Sequence, residues 1–262
     1  MTVALNGISA GYGKQRVLGT TTPIDLSFAS AEFTALLGPN GSGKSTLLRV
    51  AAGLHRPLSG ITTIAGEDVR SVPRRRLARE LAFVQQSPQA PPGATVRELV
   101  GMGRHARVNW HGAWSSTDRD VVDAAMRRCG VEAHADRVVS TLSGGERQRA
   151  WIALAIAQEP KAMLLDEPIS ALDVKHQLEV LMLIRKLCSD GMTAVVVLHD
   201  LNIAARFADR LVVLREGTIA TDGTPNEVLT PSVIQGTFEV RVEIRRDGPS
   251  GRPWCVPIEP VN

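Results

Sequence analysis

Residues 38–45 read Gly38-Pro39-Asn40-Gly41-Ser42-Gly43-Lys44-Ser45, with Thr46 next. Such a run suits an anion. Glycines let backbone N–H groups turn inward around phosphate oxygens with no Cβ in the way. A helix starting at its end points a positive terminus at the same charge. Lys44 is placed to reach β- and γ-phosphates, and the Ser45 hydroxyl to hold Mg2+. Only five of the thirty basic residues are lysines, so a lysine here is more informative than in an average chain.

A second pattern is Ala162-Met163-Leu164-Leu165-Asp166-Glu167-Pro168. An apolar strand ending in two acids sets carboxylates at the carboxyl edge of a sheet, where ligands bind in open α/β folds. Asp166 is expected to hold Mg2+, directly or through water. Glu167 is expected to polarise an attacking water as general base. Alone, such a pair reads as solvated acids at a strand end; beside a phosphate cradle the metal reading takes precedence.

These residues need a scaffold that brings strand ends together, and the sequence supplies one. Short apolar runs at Phe33–Leu37, Leu81–Val84, Ala162–Leu165, Thr193–Leu198 and Arg210–Leu214 read as buried strands. Helical patterns follow several of them, notably over 46–54 and 174–189, which is the alternation of a mostly parallel sheet flanked by helices. Between about 87 and 150 a proline-rich start leads into helical stretches with no convincing strand, and this segment is expected to be an inserted helical subdomain. From 231 an alternating run and a Gly/Pro-rich stretch predict a last strand or hairpin and a loose end.

Bulk properties narrow the setting. With 262 residues, 44% hydrophobic and 22% charged, the chain matches an ordinary globular protein. A net charge of +3 does not call for nucleic acid or an anionic membrane. Cys129, Cys188 and Cys255 have neither metal nor disulfide spacing and read as buried thiols in a reducing compartment. No apolar run approaches the roughly eighteen residues that cross a bilayer, and Met1–Gly13 lacks the features of a signal peptide. A cytoplasmic chain is expected, with any membrane association made through a partner.

Leu142-Ser143-Gly144-Gly145-Glu146-Arg147-Gln148-Arg149 lies 23 residues (Ser143 to Asp166) before the acidic strand end. A serine and two glycines opening a helix make a second anion site. This octet resembles the signature of ABC ATPases, and further landmarks of that family occur in order. Tyr12, the chain's one tyrosine, stands 26 residues before Gly38, where the family keeps an aromatic that stacks on adenine. Gln86 matches the Q-loop glutamine that approaches Mg2+ and the water, with Gln85 as the alternative register. Ser170-Ala171-Leu172-Asp173 resembles the D-loop, and His199 the switch histidine that contacts the γ-phosphate. Glu146 departs from the more frequent glutamine.

The resemblance covers about residues 3–230. It implies a P-loop NTPase core with a mixed, mostly parallel sheet and an inserted all-helical subdomain, spanning 1–230, with a C-terminal tail over 231–262. It implies ATP and Mg2+ as ligands, with Ser45, Gln86 and Asp166 at the metal. It also implies a homodimer in which Ser143, Gly144 and Gly145 of one copy close over the phosphates of the other, with Asp173 at the same contact. The stretch TVRELVGMGRHA, the run His199-Asp200-Leu201-Asn202 and the tail resemble cassettes serving importers of iron–siderophore complexes, heme and cobalamin. That implies a polytopic membrane permease, a separate solute-binding protein and a place on the inner face of the cell membrane, without nucleic acid. A soluble ABC ATPase of DNA repair, translation or iron–sulfur assembly is the alternative. Arg74, Arg75, Arg76 and Arg79 read as a solvated helix face; His105 and His111 as surface or packing residues; Trp110 and Trp114 as packing or a contact with the membrane subunit.

Overall fold

The computed structural model describes residues 1–108, 114–170, 172–248 and 251–261, so Trp110, His111 and Ala171 fall outside the described residues. The chain starts with β1 (Val3–Tyr12), β2 (Gln15–Leu18) and β3 (Ile24–Phe28). Then β4 (Phe33–Leu37) leads through 38–43 into α1 (Lys44–Ala51). Next come β5 (Ser59–Ile64), β6 (Glu67–Asp68), α2 (Arg74–Glu80) and β7 (Leu81–Val84). The helical region holds α3 (Val96–Gly101), a 3-10 turn at Met102–Ala106, α4 (Ser116–Arg128) and α5 (Gly144–Ala157), with no named strand among the described residues between β7 and β8 (Ala162–Leu165). The core closes with α6 (Val174–Ser189), β9 (Thr193–Val197), α7 (Leu201–Phe207), β10 (Arg210–Arg215) and β11 (Thr218–Gly223). Beyond it lie α8 (Pro225–Val228), α9 (Pro231–Phe238), β12 (Val240–Arg246) and β13 (Pro253–Pro260).

Six strands form the central sheet in the order β11-β10-β4-β9-β8-β7. Strands β10, β4, β9, β8 and β7 are parallel, and β11 is antiparallel to β10. Every residue of β4, β8 and β9 is buried, as expected of parallel strands covered on both faces. The strand period of two sorts their side chains. Phe33, Ala35 and Leu37 join a core with α5 and α6, whereas Leu36 joins one with α1 and the antiparallel sheet that β1, β2, β3, β5 and β6 build. The five expected strands, β10, β4, β9, β8 and β7 in spatial order, therefore open their carboxyl ends side by side on one edge. No described helix is long and apolar enough to cross a membrane.

Helix α1 starts earlier than 46 and ends earlier than 54. Gly43 sits at its start with φ 102°, and Gly53, at φ 66°, turns the chain away after it. In the helical region each long helix is opened by a reciprocal cap: Thr95 with Glu98, Ser115 with Asp118, Ser143 with Glu146. Buried Arg104 then ties the region together, reaching Asp118 at 2.9 Å, Glu159 at 2.7 Å and the Ala157 carbonyl at 2.8 Å. Gly101 and Gly103 are packing residues: a Cβ on the first would lie 1.7 Å from the Trp114 ring, and on the second 2.3 Å from the Leu154 carbonyl oxygen.

Two expectations gain detail. The arginines of α2 are exposed, as a solvated helix face requires, and two of them also make contacts: Arg75 donates to the carbonyls of Ala106 and Val108 at 3.0 and 2.6 Å, and Arg79 to Ala106 at 2.8 Å. They cap the open end of the Met102–Ala106 turn and clamp the helical region to the sheet domain. Among the described residues the tail shows the expected hairpin and no loose end. Its Gly/Pro-rich stretch links β12 and β13, which pair antiparallel, while Val242 and Cys255 are buried in the main core. Asn202 of α7 fixes β13 by two hydrogen bonds to one residue, accepting from the Cys255 N–H at 2.7 Å and donating to its carbonyl at 3.0 Å. All three cysteines are free and buried, and burial pushes the Cys129 and Cys188 thiols up to about 12.

Candidate nucleotide site

The loop between β4 and α1 holds Gly38 to Gly43 in a tight turn. Gly38 has φ 143°, and a Cβ there would stand 2.1 Å from the Leu214 carbonyl oxygen of β10. Gly43 leaves room for Leu18 of β2, whose methyl a Cβ would meet at 2.5 Å. The Lys44 ammonium, mostly buried, curls back to donate to the carbonyls of Gly38 and Pro39 at 2.8 and 2.9 Å. Burial lowers its pKa, opposed by the nearby Glu167 and Asp166 carboxylates. The Ser42 hydroxyl is buried with no hydrogen-bond partner, an orphan that an anion in the loop would satisfy.

Asp166 stands just past β8, its backbone N–H bonded to the Val84 carbonyl of β7 at 2.8 Å. Its side chain is buried and accepts from the Ser45 hydroxyl at 2.8 Å. Burial raises the Asp166 pKa, with the Ser45 bond acting against it. A buried carboxylate and a hydroxyl facing one another form the hard oxygen set that suits Mg2+.

Glu167 adopts φ 49°, an uncommon left-handed conformation that Glu159, Glu216 and Glu239 of this chain share. That conformation turns its carboxylate toward two neighbours on adjacent strand ends. Gln86, two residues past β7, donates to Oε2 at 2.5 Å, and His199, two past β9, has Nε2 2.7 Å from Oε1. Gln85 makes no such contact, so the geometry selects Gln86. Glu167 also borders the cavity of about 190 Å3 over Asn40, Gly41 and Gly43–Thr46.

Ser143 accepts from the Glu146 N–H at 3.3 Å, and Glu146 returns the bond to the Ser143 N–H at 2.9 Å. The backbone bond holds the Glu146 carboxyl below the usual range. Ser143 and Gly144 are exposed, and none of Ser143, Gly144 and Gly145 lines the P-loop cavity of their own chain. Gly145 packs on the ring of His176, which in turn lies 2.7 Å from Asp173 at the start of α6. Asp173 also accepts from the His176 N–H and caps α6. Tyr12 is half exposed at the end of β1, its ring 4.6 Å from that of His55.

The structure thus gathers Ser42, Lys44, Ser45, Asp166, Glu167, Gln86 and His199 at one sheet edge and leaves Tyr12 outside that cluster, while Gly144 of the Ser143 turn lines a separate cavity of about 490 Å3 with Gln86 and Glu167. Sequence reasoning passed over Val17, which walls the P-loop cavity, and His55, which also bonds the Gly11 carbonyl at 3.0 Å. Both arrive by strand pairing and packing, so no local motif marks them.

Known proteins resemble this chain in sequence and fold. A family model described as ABC transporter matches residues 21–170. The probable siderophore transport system ATP-binding protein YusV of Bacillus subtilis (strain 168) is 40% identical, over 97% of this chain and 92% of that protein. The ferric enterobactin transport ATP-binding protein FepC of Escherichia coli (strain K12) is also 40% identical, over 96% of this chain and 92% of that protein. Among solved structures, an inward-facing ABC transporter of the metal-chelate type superposes with TM-score 0.83 at 29% identity, covering 98% of this chain and 97% of that one. A dimeric cassette with ADP and Pi, in a post-hydrolysis state, gives TM-score 0.74 at 30% identity, over 85% of this chain and 98% of that one. With sequence, fold and strand-edge cluster in accord, the chain belongs to the ABC transporter family, as an ATP-hydrolysing subunit.

Proposed function

We propose that this chain powers the uptake of an iron–siderophore complex through a separate membrane permease, supplied by a solute-binding protein. The siderophore assignment rests on the relatives named above and on the match along nearly the whole chain, tail included. In this reading the subunit is peripheral on the inner face of the cell membrane.

The hydrolytic proposal rests on one observation: the Glu167 carboxylate is held between Gln86 and His199 beside the phosphate cradle. Lys44 and the loop N–H groups bind the β- and γ-phosphates, and Ser42 fills its missing bond there. Ser45, Asp166 and Gln86 are the residues that would hold Mg2+, which when bound neutralises phosphate charge. Glu167 takes the proton of the attacking water. His199, with Nε2 2.7 Å from that carboxylate, orients it and contacts the γ-phosphate. Tyr12 stacks on adenine. The Ser143–Gly145 turn, which exposes Ser143 and Gly144 and does not line its own P-loop cavity, closes over the γ-phosphate of a second copy, with Asp173 at the same contact.

The test is a transport assay. Cells lacking this chain should fail to accumulate a radioiron-labelled siderophore, and the intact chain should restore uptake while Lys44→Ala should not. Normal iron–siderophore uptake without the chain, with heme or cobalamin uptake lost instead, would redirect the solute assignment.

A further inference from the structure

Tyr12 closes β1 at the tip of the β1–β2 hairpin, where it pairs with Gln15 and stays 48% exposed. The same hairpin carries Val17 to the wall of the P-loop cavity and Leu18 close to Gly43. An exposed aromatic at a strand end is usually free to change rotamer, and ordering it when a ligand arrives costs affinity. Here the ring has a neighbour. The ring of His55 lies 4.6 Å from that of Tyr12, centroid to centroid, with the planes tilted by 41°. That separation falls in the range of favourable aromatic pairs. The Nε2 of His55 lies 3.0 Å from the carbonyl of Gly11, the residue before Tyr12. A carbonyl only accepts, so this nitrogen carries the hydrogen and donates it.

His55 is itself anchored. It lies just past the end of α1, the helix that begins with Lys44. The N–H groups of Leu54 and His55 both donate to the Arg49 carbonyl of α1, at 2.8 and 3.1 Å. Arg74 donates to the Gly53 carbonyl at 2.8 Å. Further on, the Leu58 N–H donates to the Ser9 carbonyl of β1 at 2.7 Å, and the Ser9 and Ser59 hydroxyls meet at 2.7 Å. The segment 53–59 is therefore tied at one end to α1 and at the other to β1. One helix thus carries the phosphate grip at its start and, beyond its end, the ring that lies against Tyr12.

We propose that His55 is a positioning residue for nucleotide binding, presetting the Tyr12 ring as the platform for the base. This role rests on the stacking of adenine on Tyr12. Because α1 links Lys44 to the His55 segment, the spacing between phosphate cradle and base platform is set before the nucleotide arrives. The nucleotide then meets an ordered ring and loses less binding energy to fixing it. His55 does not line the P-loop cavity, so its effect falls on affinity and not on the chemical step.

Calorimetric titration of the full chain with Mg·ADP compares the parent with His55→Ala, Tyr12→Ala and the double variant. We expect His55→Ala to raise Kd about three- to tenfold, the worth of one aromatic pair, and Tyr12→Ala to raise it at least as much. In the Tyr12→Ala background His55→Ala should add less than about twofold, because its effect passes through the ring. His55→Phe keeps a ring at this position and should bring Kd back to within about twofold of the parent. Under saturating Mg·ATP the His55 variants should keep the parent's kcat, with the change confined to KM. An unchanged thermal midpoint confirms that the variants fold. A Kd unmoved by His55→Ala overturns the positioning role, and so does a phenylalanine variant as weak as the alanine one. An equal rise with and without Tyr12 also overturns it, since His55 would then act on α1 or the P-loop. A Kd unmoved by Tyr12→Ala would instead remove adenine stacking on Tyr12, and the role of His55 with it.

Discussion

Gln86 and Glu167 are 81 positions apart in sequence, yet the amide of the first donates to the carboxylate of the second at 2.5 Å. The contact exists because β7 and β8 are parallel neighbours, so residues just past their ends must meet. His199 approaches the other carboxylate oxygen from the β9 side at 2.7 Å, so Glu167 is held between two strand ends.

Replacing the carboxylate by an amide tests its proposed role as base. Glu167→Gln keeps size and can keep a hydrogen bond to either neighbour, so folding and ATP binding should persist. Turnover should fall by about 10²–10⁴-fold, the span of general base catalysis. Phosphate release under saturating Mg·ATP measures it, and a near-normal rate would place the base elsewhere.

The Ser143 turn serves two ends, helix capping and the proposed contact with a second copy's nucleotide, and two substitutions separate them. Ser143→Ala removes the cap and should cost about 1 kcal/mol of stability together with activity. Ser143→Asp caps a helix as well as serine does but sets a negative charge against the phosphate. Its melting temperature should stay near that of the parent while ATPase activity is lost. Activity retained in the aspartate variant would mean that the turn caps α5 and does no more.

Much of this was legible in the sequence because the relevant physics is local. Lys44, Asp166 and Ser143 sit in short motifs whose glycines, acids and caps declare a phosphate loop, a strand end and a helix start. Runs such as Phe33–Leu37 are buried on both faces and therefore apolar throughout, which made the parallel strands readable. What stayed hidden depends on pairing at a distance. Val17 reaches the P-loop only because β2 folds back on β1. The α2 arginines are solvated as read, but nothing in RRRLARE reveals that the Ala106 and Val108 carbonyls stand opposite Arg75. The tail looked loose because its Gly/Pro content belongs to a turn, and the apolar positions that anchor it, Val242 and Cys255, are few.

Glu146 gives a prediction in pH. Its backbone bond to Ser143 holds the folded pKa below the ordinary glutamate value. The folded state then binds this proton less readily than the unfolded chain does. The contribution to stability is therefore complete above the unfolded pKa and is lost as pH falls through the folded one. Glu146→Gln fits the same cap, so it should barely move the neutral melting temperature. It should make the acid limb of the melting-temperature profile shallower. An acid limb identical to the parent's would show that the bond carries no linkage.

Asn202 is the fastening between α7 and the tail, and its removal predicts a local effect. Asn202→Ala strips partners from the partly buried N–H and carbonyl of Cys255, which costs about 1–3 kcal/mol for an unsatisfied group. Arg252 still holds the Ala205 and Ala208 carbonyls, so the hairpin should loosen without detaching. Amide exchange should accelerate over 253–257 and in α7, while β4, β8 and β9 keep their protection. Acceleration spread evenly through the central sheet would instead make the tail part of one cooperative unit with the ATPase core. In that case its covalent removal would unfold the whole chain.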